Sequence, residues 1–302
     1  MSEIKNVIII GAGGNLGPSI LNAFLASSAF NTTVLSREDS KSTFPANVKV
    51  IRADYTSSES LTSAFKGQDA VVSLVGGMAL GDQKNFIDAA IAAGVQRFLP
   101  SEYGVDTANP QTLEIAPIMG AKNATVEYLR SKEDQISWTS IQTGAFFDWG
   151  LMVGFLGFDA ASKTATFIDE GKGAFTTTNL SQVGEAVVKV LSKPSETKNQ
   201  YVRVSSFATS QAELLPAIEK ATGGEKWTVK NISSEELRKR GNERLAKQDF
   251  GGIGDLIQVC AFSKANLGDL RAPGLWNDKL GLSKADFEAS VQTGISGKLV
   301  GQ

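Results

Sequence analysis

Val7-Ile8-Ile9-Ile10-Gly11-Ala12-Gly13-Gly14-Asn15-Leu16-Gly17 stands near the start of the chain and decides its fold. An unbroken Val/Ile run reads as a strand buried on both faces, as in a parallel sheet. A glycine-rich turn directly after such a strand, opening a helix, is the pattern that holds a dinucleotide pyrophosphate. The glycines have separate tasks. Gly11 permits the tight turn, Gly13 lets backbone approach the phosphates, and Gly17 lets the helix pack close to the strand. The N–H groups and dipole at the helix start then attract anions.

Working outward, the next strand-like run, Thr32–Leu35, ends in Ser36-Arg37. An NAD site carries an acid there, about 20 residues on, to hold the ribose 2′-hydroxyl. Arginine instead offers a planar, permanently charged fork to a 2′-phosphate. Lys41 adds charge four residues later, while Glu38 and Asp39 lie alongside and could serve NAD. The balance favours NADP(H) as cofactor.

Further strand-like runs follow at Val48–Ile51, Ala70–Val75, Arg97–Pro100 and Trp138–Gln142, with helical patterns at 15–29, 58–66, 82–94 and 118–132. Asp54-Tyr55-Thr56-Ser57 reads as a turn and N-cap before one of them. Strands alternating with helices predict an α/β fold, a doubly wound parallel Rossmann sheet with right-handed crossovers. After Trp149 the pattern changes. Short strands at Thr164–Ile168 and Tyr201–Val204 mix with helices at Ser181–Leu191, Gln211–Thr222, Ser234–Lys247 and Lys284–Val291, and Ser233 or Ser234 before Glu235-Glu236 marks a helix start. The expected division is a cofactor domain over residues 1–153, to which part of 175–205 returns, and a smaller α+β substrate domain over 154–302.

Composition narrows the chemistry. The 302 residues are 42% hydrophobic and 21% charged, with a net charge of −2, which points to neither nucleic acid nor an anionic membrane. No apolar run approaches the roughly 20 residues of a bilayer span, and the N-terminus lacks a signal-peptide pattern. Cys260 is the only cysteine, so no internal disulfide forms, and a cytoplasmic location is expected. Histidine is absent. A Ser-His-Asp triad, a histidine zinc site and a histidine proton shuttle are therefore excluded, and acid/base work falls to Lys, Tyr, Asp, Glu or a cofactor. No metal site is expected. The sequence leaves monomer or homodimer open.

The motifs taken together resemble the NmrA-like, isoflavone-reductase-like family of atypical short-chain dehydrogenases. That family includes plant phenylcoumaran benzylic ether reductases and fungal secondary-metabolite oxidoreductases. The resemblance rests on Gly11–Gly17, Arg37, Val75-Gly76-Gly77, Gln83, Ile87-Asp-Ala-Ala90, Ala93-Gly94-Val95, Arg97-Phe-Leu-Pro-Ser-Glu-Tyr-Gly104, Lys122 and Gly144-Ala-Phe-Phe-Asp-Trp149. The wording around Phe146–Gly150 is closer to fungal members. The resemblance implies that Gly11, Gly13, Gly14, Asn15, Leu16, Gly17, Arg37 and Lys41 hold the NADP phosphates. It implies that Val75, Gly76 and Gly77 line the adenosine and nicotinamide-ribose side, that Gln83 also binds the cofactor, that Phe146 faces the nicotinamide, and that Phe146, Phe147 and Trp149 meet a flat apolar substrate. It also implies that Lys122 contacts the cofactor and is the catalytic residue. A nearby ammonium stabilises the negative charge left on a substrate heteroatom after hydride delivery and can donate a proton.

Tyr128-Leu-Arg-Ser-Lys132 matches the Tyr-x-x-x-Lys signature of typical short-chain dehydrogenases and is a rival site. On one helix these residues lie roughly 9 and 15 Å along the axis from Lys122, so the two sites exclude each other. The expected activity is reduction of a small conjugated or aromatic metabolite at C=C, C=O, C=N or a benzylic ether. The alternative is a non-catalytic NADP-binding redox sensor, which needs the glycine turn but no proton donor.

Overall fold

The computed structural model describes residues 3–301. Strands in chain order are β1 (Asn6–Ile10), β2 (Asn31–Arg37), β3 (Lys49–Ala53), β4 (Ala70–Ser73), β5 (Arg97–Leu99), β6 (Ser137–Gln142) and β7 (Ala145–Phe146). They continue with β8 (Phe158–Asp159), β9 (Thr164–Ile168), β10 (Phe175–Thr178), β11 (Gln200–Arg203), β12 (Phe207–Thr209) and β13 (Thr228–Ile232). The helices are α1 (Gly17–Ala26), α2 (Ser58–Phe65), α3 (Gln83–Ala92), α4 (Pro110–Ile115), α5 (Gly120–Arg130) and α6 (Phe147–Met152). After them come α7 (Leu180–Ser192), α8 (Gln211–Ala221), α9 (Ser234–Ala246), α10 (Gly251–Phe262), α11 (Asn277–Leu280) and α12 (Phe287–Ile295). No helix among the described residues is long and apolar enough to cross a membrane.

Two compact units are present: residues 1–102, 121–141 and 184–202 form the first, and 103–120, 142–183 and 203–302 the second. The first is an α/β doubly wound sheet of seven strands in the order β11-β6-β5-β4-β1-β2-β3. The pairs from β3 across to β6 are all parallel. Order reverses beside β1, with β2 on one side and β4 on the other, which opens a crevice at the carboxyl ends of these strands. β11 adds the far edge after a long excursion of the chain.

β1 is buried because both its faces are covered. Ile8 and Ile10 join Leu61 and Phe65 of α2, Phe86 and Ile87 of α3 and Val126 and Leu129 of α5 in one core. Alternation turns Val7 and Ile9 to the other face, where α1 buries Ile20, Leu21 and Phe24. α2 starts where Ser57 accepts a hydrogen bond from Ser60 N, after Asp54 closes its turn by accepting from Thr56 N. Arg97 of β5 is fully buried and donates to Ser137 Oγ, Thr139 Oγ1, Thr197 Oγ1 and the Pro194 carbonyl. Burial lowers its pKa to about 10, still charged at neutral pH.

The second unit holds two three-stranded sheets, β12-β10-β7 and β13-β9-β8, with α8, α10 and α12 contributing to its own core. Ser233 and Glu236 form a reciprocal capping box at the start of α9. Residues 251–262, which carry no expected element in the sequence pattern, form α10. Asp148 is fully buried and accepts from the backbone N–H groups of Trp149, Leu180 and Val300, tying the start of α7 and the end of the chain to α6.

Candidate functional site

A cleft of about 660 Å³ opens at the carboxyl ends of β1, β2 and β4 in the first unit. Its floor is Ile10 and the turn Gly11–Gly14. Its walls are Leu35–Arg37 with Ser40, Ser42 and Phe44 on one side, and Leu74–Gly76 with Ala79 and Asp82 on the other; Tyr55 and Thr56 also line it. The turn has its shape because Gly11 adopts φ 82°, a left-handed conformation that residues with a Cβ avoid. At Gly17 a Cβ would stand 2.1 Å from the Ala12 carbonyl oxygen, so only glycine lets the helix start this close to the turn.

The cleft fits a dinucleotide on its own features. No side chain caps the start of α1, and the first turn of that helix carries no acid, which suits an anion at the turn. Arg37 ends β2 at the rim. It meets Asp39 at 3.7 Å, with both side chains largely exposed, an ion pair too solvated to hold the guanidinium from a phosphate. Gly11, Gly13, Gly14, Arg37, Val75 and Gly76 therefore come together in one cleft. Asn15, Leu16 and Gly17 continue the turn into α1 without lining it, and Gly77 opens the short 3₁₀ turn beyond Gly76. Lys41 is exposed on the rim loop and is not part of the lining.

Gln83 stands elsewhere than expected. It is fully buried, its carbonyl accepting from Ser101 N at 2.8 Å while its amide donates to the Leu80 carbonyl and Thr125 Oγ1. It supports the wall of the cleft from behind. Ser101 completes that support by donating to the Val75 carbonyl at 2.6 Å. The next residue, Glu102, is itself buried and accepts at its main-chain carbonyl from Lys122 Nζ. Lys122 on α5 is thus connected to the cleft wall through Glu102 and Ser101. Its ammonium pKa lies below the usual lysine value, because burial disfavours the charged form more than the Glu102 carboxylate supports it.

The rival pair is arranged differently. Tyr128 donates its phenol to Asp88 Oδ1, and its ring lies under Lys84 and Lys132, whose ammonium groups stand 5.0 and 5.6 Å from its centroid. The hydrogen bond to Asp88, with burial and the Asp88 charge adding to it, raises the phenol pKa to about 12. A base near neutral pH needs the opposite shift.

In the second unit, Phe146 and Trp149 are half-buried and meet edge to face at 6.3 Å, and Trp149 continues to Phe155 at 6.2 Å. Phe147, expected beside them at the substrate, is fully buried instead and packs on Phe207 and Phe287 at 4.9 and 6.0 Å. Adjacent positions at the start of a helix point to different sides, so Phe147 goes to the core when Phe146 stays half open. Ser40, Ser42, Phe44, Tyr55 and Thr56 were not anticipated in the cleft. The polar loop after β2 and the turn after β3 carry no residue type that marks them in the sequence.

These features define a doubly wound α/β protein with a cleft at its strand-order reversal. The chain belongs to the NmrA-like family, whose model matches residues 3–248. It is 40% identical over 266 residues to oxidoreductase aprR of Aspergillus flavus, covering 87% of this chain and 89% of that protein. It is 35% identical to oxidoreductase poxI of Penicillium oxalicum, covering 87% and 84%. Among solved structures, the binary complex of leucoanthocyanidin reductase with NADPH from Vitis vinifera superposes with a TM-score of 0.80 at 19% identity, covering 96% and 99% of the two chains.

Proposed function

We propose that this protein is an NADPH-dependent reductase of a small conjugated or aromatic metabolite. The observation that carries the reading is the cleft itself, a glycine-turn floor with Arg37, not an acid, ending β2 at its rim. Gly11–Gly14 and the start of α1 would hold the pyrophosphate, and Arg37 the 2′-phosphate. NADPH supplies the hydride when bound. Lys122 would stabilise the negative charge formed on the substrate heteroatom and return a proton to it from Nζ, its lowered pKa easing the release. Phe146 and Trp149 offer half-open rings suited to stacking on a flat apolar substrate. The naming of fungal relatives as oxidoreductases supports catalysis over a sensor role.

The test has two stages. NADPH and NADH are titrated against the protein by fluorescence, and NADPH oxidation is then followed with a panel of conjugated enones, quinones, imines and benzylic ethers. Preferential NADPH binding with turnover of at least one class is expected. Tight NADPH binding with no turnover across the panel favours the sensor, and no preference for NADPH overturns the cofactor assignment.

A further inference from the structure

The loop that follows β2 forms one wall of the cleft yet has little structure of its own. Residues 41–45 are neither helix nor strand. Within the loop, Ser40 N donates to the Arg37 carbonyl and Ser42 N to Ser40 Oγ. The loop nevertheless closes tightly over the glycine turn: a Cβ placed on Gly13 would stand 2.6 Å from Ser42 Oγ. A side chain from the neighbouring strand holds it there. Arg52 on β3 lies opposite Ser36 of β2 in the parallel register. Its Nη1 donates to the carbonyls of Arg37 at 3.1 Å and Ser40 at 2.6 Å, and its Nη2 to the carbonyl of Ser42 at 3.4 Å.

We propose that Arg52 is a positioning residue for cofactor selectivity: its guanidinium clamps the Arg37–Ser42 loop in the conformation that reads the 2′-phosphate. The inference rests on the NADPH reading above and adds to it a residue outside the cleft lining. The physical argument is preorganisation. A loop ordered before the ligand arrives spares binding the entropy of ordering it. Arg52 gives three N–H bonds to loop carbonyls and does not line the cleft, so it acts through the loop and not as a phosphate ligand. A planar fork spans acceptors spread over several residues, whereas the compact ammonium of lysine keeps the charge but not that span.

The experiment compares 2′,5′-ADP, which carries the 2′-phosphate, with 5′-AMP, which does not. Both are titrated against wild type, Arg52→Met and Arg52→Lys, and amide hydrogen exchange is measured over residues 38–44. Both variants should lose about tenfold in affinity for 2′,5′-ADP with 5′-AMP changed by less than about twofold, the scale expected for one charged hydrogen-bonding group lost. Exchange over 38–44 should rise in both. Retention of the wild-type preference by Arg52→Met overturns the proposal. Full retention by Arg52→Lys with loss in Arg52→Met also overturns it, since charge and not the clamp would then be responsible. A wild type that does not distinguish the two nucleotides rejects the underlying NADPH reading, a result separate from either of these.

Discussion

Lys122 Nζ donates to the main-chain carbonyl of Glu102, the residue directly after Ser101, whose hydroxyl holds the Val75 carbonyl at the cleft wall. An ammonium is thereby fixed to the same short segment that shapes the wall of the cleft.

Lys122→Ala should lower turnover by roughly 10²–10⁴, the usual loss with a general acid, while NADPH affinity falls far less. The pH profile supplies a second readout. With Lys122 as the proton donor its protonated form would be the active one, so activity should fall as pH rises through its pKa, and burial puts that limb below the ordinary lysine value of 10.5. Lys122→Arg keeps the charge but cannot release a proton near neutrality, and should lose the limb without regaining the rate. A wild-type limb that Lys122→Arg leaves unmoved would assign the proton to another group.

Arg37→Ala should remove the preference for NADPH over NADH, a loss of about 1.5–3 kcal/mol in NADPH binding with NADH nearly unchanged. Parallel isothermal titrations of both cofactors measure it. Equal losses for the two would place Arg37 away from the 2′-phosphate.

Gly13→Val should abolish cofactor binding with the fold intact. Its Cβ would meet the Ser42 hydroxyl at 2.6 Å, and its methyl groups would fill the approach to the turn. Circular dichroism and an NADPH titration on the same sample separate misfolding from lost binding. A folded variant with normal affinity would move the phosphate site elsewhere.

Tyr128→Phe should leave turnover and its pH profile unchanged, because the phenol is committed to Asp88 with a pKa raised to about 12. A dead Tyr128→Phe beside an active Lys122→Ala would restore the typical dehydrogenase pair as the catalytic one.

Asp148→Ala strands three backbone N–H donors, those of Trp149, Leu180 and Val300. Unfolding stability should drop by about 3 kcal/mol or more, given the worth of hydrogen bonds to a buried charge. Urea midpoints measure this, and limited proteolysis near residue 300 should accelerate in the same variant.

Much of the first unit was legible because strands buried on both faces announce themselves. The run ending at Ile10 is β1, and Arg97-Phe98-Leu99 is β5. Helix α10 has no counterpart among the sequence patterns, because Gly251, Gly252 and Gly254 in its first turn are poor helix formers. Gly252 serves close packing on α9: a Cβ there would stand 2.3 Å from the Gly241 carbonyl oxygen. The last helix was expected from residue 284 but begins at Phe287, because Asp286 caps it by accepting from Ala289 N. Gln83 and Phe147 were placed by motif at cofactor and substrate. Whether a side chain turns inward depends on partners distant in sequence, Ser101 and Thr125 for one, Phe207 and Phe287 for the other. The rim loop was invisible for the same reason, since the residue that shapes it sits on another strand.

The chain threads the first unit three times, and the seven-stranded sheet receives its edge strand β11 only at residues 200–203. A fragment cut near residue 153, where the sequence pattern changes, would carry the glycine turn, Arg37 and Lys122 yet lack β11. Its β6, still paired with β5, would then present its other edge unpaired to solvent on a strand buried throughout in the intact protein, a template for edge-to-edge aggregation. Dissection of this protein into a soluble cofactor-binding piece therefore has to follow the weave of the chain, for example by rejoining residues 184–203 through a short linker, and a simple truncation should be recovered from inclusion bodies.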